Sequence, residues 1–89
     1  MKYRYTHWRI DPEGRLKRYQ RGITEWEPNP RGGATLCQIH GENKVLLARG
    51  ATACGDHSFS YSVGRAKAKF RADLAHMLTL KLMLDKIAE

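Results

Sequence analysis

Apolar and polar positions alternate over the first half of the chain and then change to a helical period. From Tyr3 to Ile10 the period is two. Tyr3, Tyr5, His7 and Arg9 fall on one strand face, and Arg4, Thr6, Trp8 and Ile10 on the other. Asp11-Pro12-Glu13-Gly14 reads as a type I turn: Asp opens it, Pro presets its first central residue and Gly tolerates the exit geometry. A second strand is expected over Arg15 to Trp26, bent near Gly22. Pro28-Asn29-Pro30-Arg31-Gly32-Gly33 is a loop, because two prolines and two glycines oppose regular structure. Ala34 to His40 and Lys44 to Cys54 read as a third and fourth strand around the turn Gly41-Glu42-Asn43. On the fourth, Val45, Leu47, Ala51 and Ala53 share a face that Arg49 interrupts. The small residues Ala48, Gly50, Ala51 and Ala53 predict that the following helix packs closely there.

The period lengthens after Asp56 or Ser58, either of which suits a helix N-cap. Phe59, Val63, Ala66, Phe70, Leu74, Met77, Leu80, Leu84 and Ile87 recur at steps of three and four. They predict one stripe laid on the sheet. Gly64 interrupts that helix and marks a close approach of backbone or ligand. Met77 to Leu84 is apolar nearly all round, and Leu78 and Leu82 lie off the stripe. A homo-oligomer contact through those two leucines is therefore expected. The expected fold is α+β: a four-stranded, mostly antiparallel sheet packed by one long C-terminal helix. It forms a single domain over 1–89, with a sheet half over 1–54 and a helical half over 56–88.

Composition narrows the partners. Among 89 residues, 16 Lys and Arg face 9 Asp and Glu, for a formal charge of +7. Such an excess favours anionic partners. No apolar run is long enough to cross a bilayer, and the opening residues do not form a signal peptide. With only two cysteines, these features point to a reducing, cytoplasmic setting. Lys2, Arg4, Arg9, Arg15, Lys17, Arg18 and Arg21 interleave with Tyr3, Tyr5, Trp8 and Tyr19, which fits a two-faced sheet with rings inward and arginines in water, and also lets cations meet phosphates while rings stack on bases. On the helix, Arg65 and Lys69 lie one turn apart. A guanidinium there can hold phosphate with two hydrogen bonds, and an ammonium acts as a point charge.

Cys37-x2-His40 and Cys54-x2-His57 have the spacing of a zinc site. A straight strand, however, sends Cys37 and His40 to opposite faces, so the sequence assigns no metal ligands and leaves zinc at these four residues open. There is no nucleophile elbow, phosphate-binding loop or paired carboxylate set, so neither an enzyme nor a cofactor is expected.

The segment Ala51-Thr52-Ala53-Cys54-Gly55-Asp56-His57-Ser58-Phe59-Ser60-Tyr61-Ser62-Val63-Gly64-Arg65-Ala66-Lys67-Ala68 resembles a pattern in small bacteriophage proteins. There a strand ends near a Cys, followed by an Asp, a Phe and a Gly-Arg on the opening turns of a helix. It is similar to phage anti-defence sponge proteins of the Thoeris anti-defence type, small oligomers that sequester a cyclic ADP-ribose-derived signal. The resemblance implies a non-enzymatic phage protein acting in the host cytoplasm. It implies ligand phosphates at Arg65 and Lys69, beside Gly64, and a base stacked on Phe59 or Tyr61. Trp8 is a further stacking candidate. The alternatives are a nucleic-acid-binding protein using the basic hairpin and an inhibitor of a host enzyme.

Overall fold

The computed structural model describes residues 1–88. The elements are β1 (Lys2–Ile10), β2 (Leu16–Tyr19), β3 (Arg31–His40), β4 (Leu46–Ser58) and α1 (Tyr61–Ala88). The four strands form one antiparallel sheet in the order β2-β1-β3-β4, and α1 crosses one face over β3 and β4. This is the expected α+β architecture.

The first hairpin turns where the sequence places it. The Asp11 carboxylate accepts from the backbone N–H groups of Glu13 and Arg15, at 3.0 and 2.8 Å, and Gly14 takes a φ of 84°. Its partner strand is short. β2 stops at Tyr19 rather than running to Trp26, because a turn with Gly22 at a φ of 83° sends the chain back over the sheet. There Trp26 packs edge-on against Tyr19, and the Asn29 N–H donates to the Ile10 carbonyl at 2.8 Å.

Two boundaries move at the corner. β4 continues through Ser58, pairing as far as Arg31, so Asp56 and Ser58 lie in extended backbone and do not cap the helix. Ser60 caps it instead: its hydroxyl accepts from the Val63 N–H at 3.3 Å and its carbonyl from the Gly64 N–H at 2.9 Å.

The helix packs through a different face from the predicted stripe. Gly64, Ala68 and Ala72, four residues apart, are its buried positions. They lie against Thr35, Cys37 and Ile39 of β3 and Gly50 of β4. Phe70 is 68% exposed, and Val63, Leu74, Met77, Leu80, Leu84 and Ile87 are exposed as well. The physical reason is contact distance. A methyl group built on Gly50 would stand 2.2 Å from the Ala72 nitrogen and 2.7 Å from the Ala68 carbonyl oxygen, so helix and strand backbones touch. Only glycine and alanine fit such a seam, and large side chains would hold the helix away. The alternation on β4 shifts accordingly. Ala48, Gly50 and Thr52 pair with the buried residues Ile39, Cys37 and Thr35 and so face the helix, whereas Ala51 and Ala53 face away. The register of β3 against β4 shifts at two places, Arg31/Gly33 and Ile39/His40. Beyond His76 every helix residue whose burial is described is exposed, so the last turns overhang the sheet.

Candidate nucleic-acid interface

Strand pairing decides which side chains share a face. On β1, Tyr3, Tyr5, His7 and Arg9 point to the helix side, and Lys2, Arg4, Thr6, Trp8 and Ile10 to the opposite side, as the alternation predicts. Cross-strand partners extend that second face. Arg4 pairs with Gln38 and Gln38 with Arg49, while Arg18 pairs with Trp8 and Trp8 with Ala34. Every strand therefore contributes long polar side chains to it: Arg18 from β2, Lys2 and Arg4 from β1, Gln38 from β3 and Arg49 from β4.

The helix lies on the other face, and none of the paired positions on this one is an Asp or Glu. Arg4, Arg18 and Arg49 are exposed and make no ion pair among the described residues. The ion pairs formed elsewhere are Arg15–Glu13, Lys17–Asp11 and Lys69–Asp73. Arg4 and Arg49 lie two strand spacings apart, about 10 Å, and the Arg18–Trp8 row lies about 13 Å along the strands. Between them a shallow depression of about 300 Å³ is lined by Arg4, Thr6, Trp8, Arg18, Leu36 and Gln38. A guanidinium in this position can meet phosphate or the O6/N7 edge of guanine, a carboxamide can pair with adenine, and a half-buried indole can stack. Arg49 was visible in the sequence as the cation breaking an apolar alternation. Only the sheet order shows that it joins Arg4 and Arg18.

The predicted ligand residues divide between two faces. Trp8 lies on the open side of the sheet, so it cannot share a site with Arg65 and Lys69, which lie on the helix covering the other side. Alternate residues of one strand point oppositely, and Trp8 follows His7. Phe59 and Tyr61 stand with His7, with ring centroids 6.0 and 4.9 Å away. The Arg9 guanidinium lies 4.2 Å from the Phe59 centroid and 5.6 Å from that of Tyr61, and Arg21 lies 5.0 Å from the Tyr61 ring. Protein cations thus occupy these rings. Gly64 packs on Thr35, where an added Cβ would sit 2.6 Å from its hydroxyl. Lys69 donates to Asp73 at 3.0 Å and lies over the Tyr3 ring, while Arg65 is exposed and forms no ion pair among the described residues.

A cleft of about 260 Å³ does open at the corner. It is lined by Thr52, His57, Ser58, Phe59, Ser60 and Lys67 among others, but by neither Arg65 nor Lys69. Cys37, His40, Cys54 and His57 do not converge. Cys37 is buried under the helix, and the Cys54 thiol donates to the His57 carbonyl at 3.2 Å. No group of three His, Cys, Asp or Glu with metal-binding geometry occurs among the described residues.

Electrostatics under the helix predicts a pH response. Hydrogen bonds from Tyr3 and then Lys69 hold the Asp73 carboxyl below its ordinary value, and the backbone bond from Arg15 does the same for Asp11. Burial, reinforced by Arg65 and Arg9, lowers the His7 imidazole below its usual 6.5. As pH falls through 6.5, the unfolded chain takes up a proton that folded His7 resists, so stability declines until pH reaches the lowered folded value. The two carboxylates stabilise the fold above 3.8, and that stabilisation is lost as pH falls through their lowered folded values. Urea midpoints measured from pH 8 to 3 should therefore fall in two steps, and His7→Gln should remove the upper one.

Compared with known proteins, the chain matches no family model, no curated protein and no solved structure. None of its described helices is long and apolar enough to cross a membrane.

Proposed function

We propose that the protein binds nucleic acid through the open face of its sheet, without catalysis. The observation that carries this reading is the set Arg4, Arg18 and Arg49: arginines on three strands of one sheet face that form no ion pair among the described residues, at paired positions that include no Asp or Glu. Like charges gathered this way repel unless an anion lies across them. Phosphate contacts from the arginines would set orientation, and Gln38 and Trp8 stand between them where bases would lie.

Fluorescence anisotropy with labelled single-stranded and duplex oligonucleotides tests it. Binding should weaken with salt at a log–log slope that includes about −2 to −3 from the three arginines, at ~0.7–0.9 per phosphate neutralised. The triple variant Arg4→Ala, Arg18→Ala, Arg49→Ala should lose that part of the slope and at least tenfold in affinity. Its thermal midpoint should stay near wild type, because exposed substitutions move stability by only about 0.5 kcal/mol each. Absence of binding at low salt, or unchanged binding by the triple variant, would overturn the proposal.

The corner cleft favours a second reading, sequestration of a small phosphate-bearing nucleotide-like ligand with Lys67 as its cation. At about 260 Å³ the cleft falls below the ~300–1,000 Å³ typical of small-molecule sites, which ranks this reading second. A thermal midpoint that rises with a cyclic nucleotide or an ADP-ribose derivative, and not with oligonucleotides, would reverse the order.

A further inference from the structure

The outward face of α1 carries a pattern that the sheet does not use. Val63, Phe70, Met77 and Leu84 are seven residues apart, and all are exposed. Ala66, Leu80 and Ile87 follow three residues after Val63, Met77 and Leu84, and Leu74 follows four after Phe70. This is a 3.5-residue repeat over 63–87. Phe70 lies about 200° round the helix from Ala68, so the row runs opposite the buried glycine and alanines. A sheet or a shallow groove has no use for a strict seven-residue repeat. A second helix does, because the repeat keeps one seam facing its partner through a left-handed supercoil.

We propose that this row is the interface for a second copy of the chain, with the two α1 helices antiparallel. Weighted by their exposures, Val63, Phe70, Leu74, Met77, Leu80, Leu84 and Ile87 present on the order of 700 Å² per chain, close to the ~800 Å² per partner of a standard interface. The occupant is a copy because the seam complements itself. With the two-fold axis near Ala75, Val63 meets Ile87 of the partner subunit, Phe70 meets the partner's Leu80, and Leu84 meets the partner's Ala66. Asp73 takes no part in the seam, because its carboxylate is turned to the sheet, where it accepts from the Tyr3 hydroxyl at 2.7 Å. Parallel pairing would set the two basic sheets side by side at one end of the pair. The antiparallel arrangement places the two basic sheets toward opposite ends, which reduces repulsion between chains of formal charge +7. The seam differs from the expected Leu78 and Leu82 contact, since Leu78 lies about 100° round the helix from Met77.

Sedimentation equilibrium over a concentration series tests this. Wild type should sediment at twice the chain mass. Met77→Glu should weaken association at least tenfold while keeping its helical circular dichroism, because Met77 is 66% exposed in the single chain. Leu78→Glu should remain dimeric. Orientation is read by mild oxidation of chains carrying Val63→Cys and Ile87→Cys, each in a background with Cys37 and Cys54 replaced by alanine. A mixture of the two should cross-link, and Val63→Cys alone should not. A wild-type monomer at 100 μM (~0.1 mM, well above nM–μM dimer affinities), a dimeric Met77→Glu, a monomeric Leu78→Glu, or efficient cross-linking of Val63→Cys alone would each overturn the proposal.

Discussion

Gly50→Ala is expected to lower the urea midpoint more than any other single-methyl addition to this chain, by about 3 kcal/mol of stability. The added carbon would stand 2.2 Å from the Ala72 nitrogen, 2.6 Å from the Arg71 carbonyl carbon and 2.7 Å from the Ala68 carbonyl oxygen. All three are backbone atoms of α1, so no side chain can rotate to make room. Either the helix lifts or β4 bends, and lifting the helix opens the Cys37–Ile39–Ala68–Ala72 core. Domains of this kind have a net stability of about 5–15 kcal/mol, so the loss is a large fraction of the total. Gly55→Ala is the matched control: it lies on the same strand, finds nothing within 4 Å, and should leave the midpoint within about 0.5 kcal/mol.

Arg9→Ala should cost a comparable amount, about 3 kcal/mol, for a different reason. Arg9 is only 6% exposed and forms no ion pair among the described residues. Its charge is stabilised by the Asn29 carbonyl at 2.9 Å, the Tyr61 hydroxyl at 3.1 Å and the faces of Phe59, Tyr61 and Tyr19. These contacts join β1, β2, the returning loop and the first turn of α1. Removing them should reduce the near-ultraviolet dichroism of the tyrosines as well as the denaturation midpoint. Arg9→Lys should restore little of either, because an ammonium lacks the planar fork that serves a carbonyl, a hydroxyl and an aromatic face together. Wild-type midpoints in both variants would show that this cluster contributes nothing to stability.

These two residues show what was legible in the sequence and what was not. Strict alternation assigned both faces of β1 correctly, because the side-chain period of a strand is fixed by covalent geometry. The Asp11 turn was legible for a similar reason, since its residues act on their own backbone. Gly50, among small neighbours, announced a close helix. The face of the helix that makes the approach was not legible. Glycine and alanine carry almost no hydrophobic weight, so the large residues on the other side dominated the period. A helix of this kind has two apolar faces, and the sequence alone does not say which one meets the sheet. The buried Arg9 was hidden because it alternates in phase with the tyrosines, and it is taken out of water by distant parts of the chain, the returning loop at Asn29 and the rings of Phe59 and Tyr61. The open basic face stayed divided into a hairpin and a stray Arg49 until strand order joined them.

The order of the elements also has a consequence in time. All four strands precede the helix that covers β3 and β4. At about 5–20 residues per second, the 28 residues of α1 take on the order of a few seconds to synthesise after the strands. During that interval the sheet shows both faces and the long free edge of β4 to its surroundings. Completion of the helix closes the interval on that side, and Arg71 then caps an edge carbonyl of β4, donating to Ala51 O at 2.6 Å. Slowing translation within the codons of α1 should therefore lower the soluble yield, whereas slowing it within β1 should not.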